Sequence, residues 1–263
     1  MTKPCAVVIG IGPGLGRALV RKFALEGHAV AFVGRREAEV ARHEAELRAE
    51  GLEVTGIAGD AGSPDSMAEV FTRVHELYGT PEVLIYNAAL IEPSRFVTPS
   101  GKAEVKYGTA DGWNALGEPV SVDYLKHAFS VNVAGALDAA QKVVPGMIDR
   151  GYGTILLTGG VLAFEPWIEW GVTSLSKAAL RSLGRSLFKE LSEKNIHVCT
   201  VAIHGTMQAG TPYDHGLVAD AYWALHQQPA SEGEAEYHFR ADEADGSDPD
   251  AQAFPAKVRS GFA

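Results

Sequence analysis

Cys5-Ala-Val-Val-Ile-Gly10-Ile-Gly12-Pro-Gly14-Leu15-Gly16 sets five apolar residues before four glycines in seven positions. The apolar run reads as a strand buried on both faces, and residues 15–26 carry a helical period closed by Gly27. The glycines do not satisfy G-x-G-x-x-G, because Leu15 and Arg17 stand where a last glycine would fall. Gly10, Gly14 and Gly16 do satisfy G-x-x-x-G-x-G. Glycine at such a turn lets the backbone bend sharply and approach a pyrophosphate, whose charge is met by the N-terminus of the next helix. A glycine cluster alone says little. Between an N-terminal strand and a helix it marks a dinucleotide-binding turn.

The same alternation continues along the chain. Strands are read at 29–33, 54–58, 82–86, 154–158 and 197–203, and helices at 37–50, 64–78, 122–148 and 174–194. Apolar strands separated by helices predict an α/β, Rossmann-type, doubly wound parallel sheet with helices on both faces. Two stretches break the rhythm. Residues 89–121 hold Pro93, Pro99 and Pro119 with four glycines and no period, as expected of a lid or binding loop. Residues 241–263 are poor in apolar side chains and read as a mobile acidic tail. The expectation is one domain over 1–240, followed by that tail.

Of the 263 residues, 46% are apolar and 21% charged, the balance of a soluble globular chain. The net charge is −10, and −7 of it falls in residues 231–250. A near-neutral body with no basic face argues against nucleic acid or an anionic membrane as partner. No apolar run reaches the ~18–20 residues of a spanning helix. The glycine-broken N-terminus is not read as a signal peptide, so a cytoplasmic location is expected. Cys5 and Cys199 both fall in apolar runs and read as small buried hydrophobes. No metal-ligand set is read from spacing.

With these residues in view, the chain resembles the short-chain dehydrogenase/reductase (SDR) family over nearly its whole length to about residue 240. Ile9 to Gly16 is similar to the family's TGxxxGxG, with Ile9 in place of threonine. Asp60, with Ala61 beside it, matches the acidic residue that contacts adenine. Asn87-Ala88-Ala89 matches the later part of NNAG, with Tyr86 for the first asparagine. Val131-Asn132-Val133 and Ser176-Lys177-Ala178-Ala179 match the active-site asparagine and lysine. The resemblance implies a nicotinamide cofactor held by Gly10, Gly12, Gly14, Leu15, Gly16, Asp60, Ala61, Asn87, Ala88, Ala89 and Lys177. The second strand ends in Arg35-Arg36, and arginine suits a 2′-phosphate where a carboxylate would hold ribose hydroxyls. NADP(H) is therefore expected over NAD(H). The resemblance also implies a homo-dimer or homo-tetramer through the helices at 122–148 and 174–194.

The chain departs from the family where the chemistry is done. Four residues before Lys177, the position of the family's tyrosine, stands Thr173. The serine position falls on Gly160, and the Pro-Gly after the sixth strand is His204-Gly205. Hydride delivery to a ketone leaves an alkoxide needing a proton, and a positioned acid contributes about 10²–10⁴ in rate. Threonine is far too weak an acid for that task. The candidate replacement donors are His204, foremost, and Glu165, Glu169, Tyr213, Asp214 and His215. An iminium substrate would need no acid at all, only a nearby carboxylate such as Glu165 or Glu169. Phe164, Glu165, Trp167, Trp170 and Tyr213 are the candidate substrate contacts, for a small apolar or heteroaromatic molecule. The expected function is NADP(H)-dependent hydride transfer to a C=O or C=N group. The competing class binds nucleotide without redox turnover, as a regulator, scaffold, cyclase or isomerase.

Overall fold

The computed structural model describes residues 3–99 and 117–240. Strand β1 (Cys5–Ile9) is buried throughout and forms the middle of a parallel sheet with β2 (Ala29–Gly34), β3 (Val54–Ala58), β4 (Val83–Tyr86), β5 (Gly153–Thr158), β6 (Ile196–Ile203) and β7 (Glu236–Phe239). Their spatial order is β3-β2-β1-β4-β5-β6-β7. All six pairings are parallel, so every crossover runs over a face of the sheet.

The period-2 geometry of β1 divides its side chains between two cores. Cys5, Val7 and Ile9 pack with helices α3 (Pro64–Tyr78), α5 (Gly135–Arg150) and α6 (Gly171–Leu191). Ala6 and Val8 pack with α1 (Leu15–Leu25), α2 (Glu37–Ala49) and α7 (His215–Gln227). Burial on both sides explains the unbroken apolar strands, each buried Val, Ile or Leu being worth about 1.5–3 kcal/mol. Both cysteines lie in this core, where burial pushes their thiols up to about 12, consistent with an inert packing role.

Three elements differ from the sequence expectation. The helix expected over 122–148 is α4 (Val122–Phe129) and α5 joined by a π-helical turn, Ser130–Ala134. Asn132 sits in that turn, where its Oδ1 accepts from the Leu90 amide at 2.6 Å and its Nδ2 donates to the Leu90 carbonyl at 3.0 Å. The Tyr86 hydroxyl, donating to the Val131 carbonyl, ties the same turn to β4. Helix α7, unassigned from sequence, is capped by Asp214, whose carboxylate accepts from the Gly216 amide at 2.7 Å. Its buried face is Val218, Ala219, Tyr222 and Leu225. The third is β7, whose Glu-Tyr-His-Phe run alternates charge and ring and occupies the sheet edge.

Of the long 89–121 stretch, residues 100–116 lie outside the described residues, as does the expected acidic tail at 241–263. The described flanks are anchored. Ser94 bridges Trp170 and donates its amide to the Glu169 carbonyl at 2.6 Å, and the Val120 amide donates to the Arg95 carbonyl at 2.9 Å. Among the described residues no helix is long and apolar enough to cross a membrane.

Candidate active site

Strand order reverses direction between β1 and β4, and a cleft of about 840 Å³ opens there at the carboxyl ends of the strands. This switch point is where open α/β sheets bind ligands. The cleft is lined by all thirteen residues expected to hold the cofactor: Gly10, Gly12, Gly14, Leu15, Gly16, Arg35, Arg36, Asp60, Ala61, Asn87, Ala88, Ala89 and Lys177. They come from the ends of β1, β2, β3 and β4 and from two helices, so no local feature of the chain assembles them; the sheet does.

The glycine turn is built for close approach. Gly10 holds φ at +104°, and a Cβ there would come 2.4 Å from the Ala88 amide nitrogen. Gly12 faces open space, with nothing within 4 Å of a Cβ built on it. Helix α1 begins at Gly14 with no side-chain cap, leaving a helix N-terminus aimed at the cleft. The imidazole of His215, at the start of α7, packs 2.7 Å from where a Gly14 Cβ would stand and closes the other wall. At the β2 end, Arg36 pairs with Glu39 at 2.6 Å, whereas Arg35 is exposed and makes no ion pair among the described residues.

The floor of the cleft is a hydrogen-bond hub on Thr158. Its hydroxyl donates to Asn87 Oδ1 at 3.1 Å and accepts from the buried Tyr222 hydroxyl at 2.8 Å. Asn87 Nδ2 in turn donates to the Gly10 carbonyl at 2.9 Å. The Thr158 carbonyl accepts from Lys177 Nζ at 2.6 Å. The Thr158 hydroxyl thus both donates and accepts within this hub. Lys177 is half-buried with no carboxylate partner among the described residues, and desolvation pushes its ammonium down to about 8. One turn earlier on the same face of α6, Thr173 is 3% exposed, lines the cleft and, among the described residues, has no hydrogen-bond partner for its hydroxyl. Gly160 also lines the cleft in extended backbone, and a Cβ there meets only the Ile203 carbonyl oxygen, at 3.8 Å.

The other site candidates divide. Of the five substrate candidates, Trp170 lines the cleft; Phe164, Glu165, Trp167 and Tyr213 are not among its lining residues. Tyr213 packs on Gly205 and edge-on to Phe239. His204, the foremost replacement acid, is turned away. Its Nε2 bonds His238 Nδ1 at 2.7 Å, and its ring stacks on that of His238 and lies tilted against that of Phe164. Burial, aided by Arg240 and His238, pushes it down to about 4, which disfavours the imidazolium form that would serve as an acid. Glu169 is buried in an ion pair with Arg95 and is no free counter-charge for an iminium. Asn132 reaches the site through Leu90, which lines the cleft, and not with its own amide.

Residues 4–212 match the family model described as short chain dehydrogenase. The chain belongs to the short-chain dehydrogenase family. Dehydrogenase/reductase SDR family member 4 from Oryctolagus cuniculus is 30% identical over 198 residues, covering 75% of this chain and 68% of that protein. The protein of the same name from Bos taurus is 29% identical over 197 residues, covering 75% of this chain and 63% of its own length. A metagenomic short-chain oxidoreductase in complex with NADP superposes with a TM-score of 0.73 at 22% identity, over 90% of this chain and 96% of that one. At that identity the likeness establishes the fold. The parallel sheet and the cleft at its switch point are both present in this chain.

Proposed function

We propose that this short-chain dehydrogenase is an NADP(H)-dependent oxidoreductase that reduces a C=O or C=N group of a small, apolar or heteroaromatic molecule, with Lys177 in place of the family's tyrosine as proton donor. The observation that carries the reading is the desolvated Lys177 on the wall of a cleft whose other residues suit a dinucleotide.

The cradle fits the cofactor on three counts. Gly12 leaves space where a side chain would intrude, the uncapped start of α1 offers amides to a diphosphate, and Arg35, in no ion pair among the described residues, suits a 2′-phosphate. A solved relative of the same fold holds NADP. Bound there, the nicotinamide supplies a hydride. The chain supplies the rest. Asn87, held by Gly10 and Thr158, fixes the ends of β1, β4 and β5 relative to one another. Trp170 presents an apolar wall. Lys177 as the ammonium transfers a proton to the alkoxide oxygen left when a carbonyl carbon accepts hydride, and becomes the amine. An acid titrating near the working pH is well matched to this task, as the ionisation of Thr173 is not.

A rate that needs protonated Lys177 is level below about pH 8 and falls tenfold per unit above it. The variant K177M loses this limb and, for ketones, about 10²–10⁴ of the rate. Preformed iminium ions need no proton and are spared. The experiment is anaerobic titration with NADPH and with NADH, followed by stopped-flow mixing with ketones and preformed imines across pH. Tighter binding of NADPH and oxidation by at least one acceptor class are expected. Tight binding with no oxidation by any acceptor overturns the reading and supports nucleotide binding without turnover, which the partnerless Thr173 hydroxyl and the bare Gly160 favour.

Self-association belongs to the same proposal. Leu137 and Ile148 on α5 and Leu175 on α6 are large apolar residues exposed on the two helices. Light scattering of the full chain is expected to give a dimer or tetramer mass; a monomer at micromolar concentration removes this part.

A further inference from the structure

At the end of the sheet opposite the cleft, His28 precedes β2, Glu82 precedes β4, and His226 lies in the last turn of α7. One ligating atom from each falls within 4.8 Å of the other two, and His226 Nε2 stands 3.8 Å from Glu82 Oε1. We propose that His28, Glu82 and His226 form a binding site for a divalent transition metal of the zinc type, with a fourth position for water.

Two independent observations point to a ligand. The first is His28 itself: it is 4% exposed, and among the described residues neither ring nitrogen has a hydrogen-bond partner. A buried imidazole with both nitrogens unmatched is costly, and a metal–nitrogen bond removes the deficit at one of them. The second is the orientation of His226. Its Nδ1 bonds the Thr154 hydroxyl at 2.9 Å, which leaves Nε2 as the nitrogen facing Glu82. A ring held through one nitrogen by an oxygen while the other faces a carboxylate is the arrangement of metal-ligating histidines.

The donor set suits the ion. Two imidazole nitrogens and one carboxylate oxygen make the three-ligand set of zinc sites that keep a fourth position open. Zinc bonds of about 2.0–2.2 Å place tetrahedral neighbours about 3.3 Å apart, so the three atoms close onto an ion through small side-chain adjustments. Phe23 and Trp223 present ring edges to His28 and shield the site from bulk water. Sequence spacing could not reveal the set, because its members come from three distant segments joined only by the sheet and α7.

The test uses the full chain, stripped with a chelator, reloaded with Zn²⁺ and desalted. Elemental analysis gives the stoichiometry, and competition with a chromogenic chelator gives the affinity. One zinc per chain is expected, together with a rise in melting temperature on loading. Glu82→Gln and His226→Gln are expected to weaken zinc binding at least 100-fold, and Thr154→Val about 10–100-fold through the loss of orientation. Circular dichroism and NADPH titration on each variant verify folding, and Thr154→Val, nearly isosteric, serves if a ligand variant fails to fold. Less than a tenth of an equivalent in the parent chain overturns the proposal. So does zinc held equally by parent and variants, which would place it on surface histidines.

Discussion

Replacing Thr173 by tyrosine and Gly160 by serine together raises the rate of ketone reduction by at least 10², as measured by kcat/KM with NADPH over a panel of ketones. Thr173 lies one helical turn before Lys177, so a phenol there stands beside an ammonium that stabilises its anion and lowers its pKa. A positioned acid is worth about 10²–10⁴ and an oxyanion donor about 10²–10³, though the two effects do not simply multiply. The backbone accepts both changes. Gly160 is in extended conformation with 3.8 Å of clearance for a Cβ, and Thr173 already faces the cleft with a hydroxyl that bonds nothing. T173Y alone is expected to give most of the gain and to move the alkaline limb of the pH profile. A double variant that folds, binds NADPH as the parent does and reduces ketones no faster would mean that proton delivery is not what the native site lacks.

The second large effect is on stability. Gly10→Ala is expected to destabilise the fold by about 3–5 kcal/mol, combining a disfavoured positive φ with a backbone collision. The neighbour is the Ala88 amide at 2.4 Å, part of the chain just past β4, which cannot rotate away as a side chain would. At about 2–4 °C per kcal/mol, the melting temperature should fall by roughly 6–20 °C. Gly12→Ala is the control. With nothing within 4 Å of its Cβ, it should melt within about 2 °C of the parent. It should nonetheless weaken NADPH binding tenfold or more, since its methyl group points into the space assigned to the cofactor. If Gly12→Ala binds NADPH normally, the diphosphate does not lie over this turn.

What could be read from the chain follows from which physical demands are local. The glycine turn is a backbone demand, visible as spacing, and all the residues carried with it line the cleft. The identities of Thr173 and Gly160 are equally plain, because position relative to Lys177 and to β5 is a matter of counting. His204 shows the limit. Its place at the end of β6 is as expected, but its side chain is drawn aside by His238, which belongs to β7. An edge strand of Glu, Tyr, His and Phe has no apolar signature, so the partner that disarms His204 could not be read. The π-helical turn at Asn132 is hidden for a different reason. One added residue in a helical turn leaves the apolar period nearly intact, and only the hydrogen bonds to Leu90 disclose it.

The anchors around Ser94 and Val120 bear on how this chain can change over time. The Arg95 carbonyl and the Val120 amide meet directly, so the two described ends of this stretch are pinned to each other. Insertions and deletions between these anchors therefore leave the sheet, the glycine turn and Lys177 untouched. Trp170 links that point to the cleft wall, since it bridges Ser94 and lines the cleft at once. Related chains can thus keep the same sheet and cleft while differing in the number of residues between these two anchors.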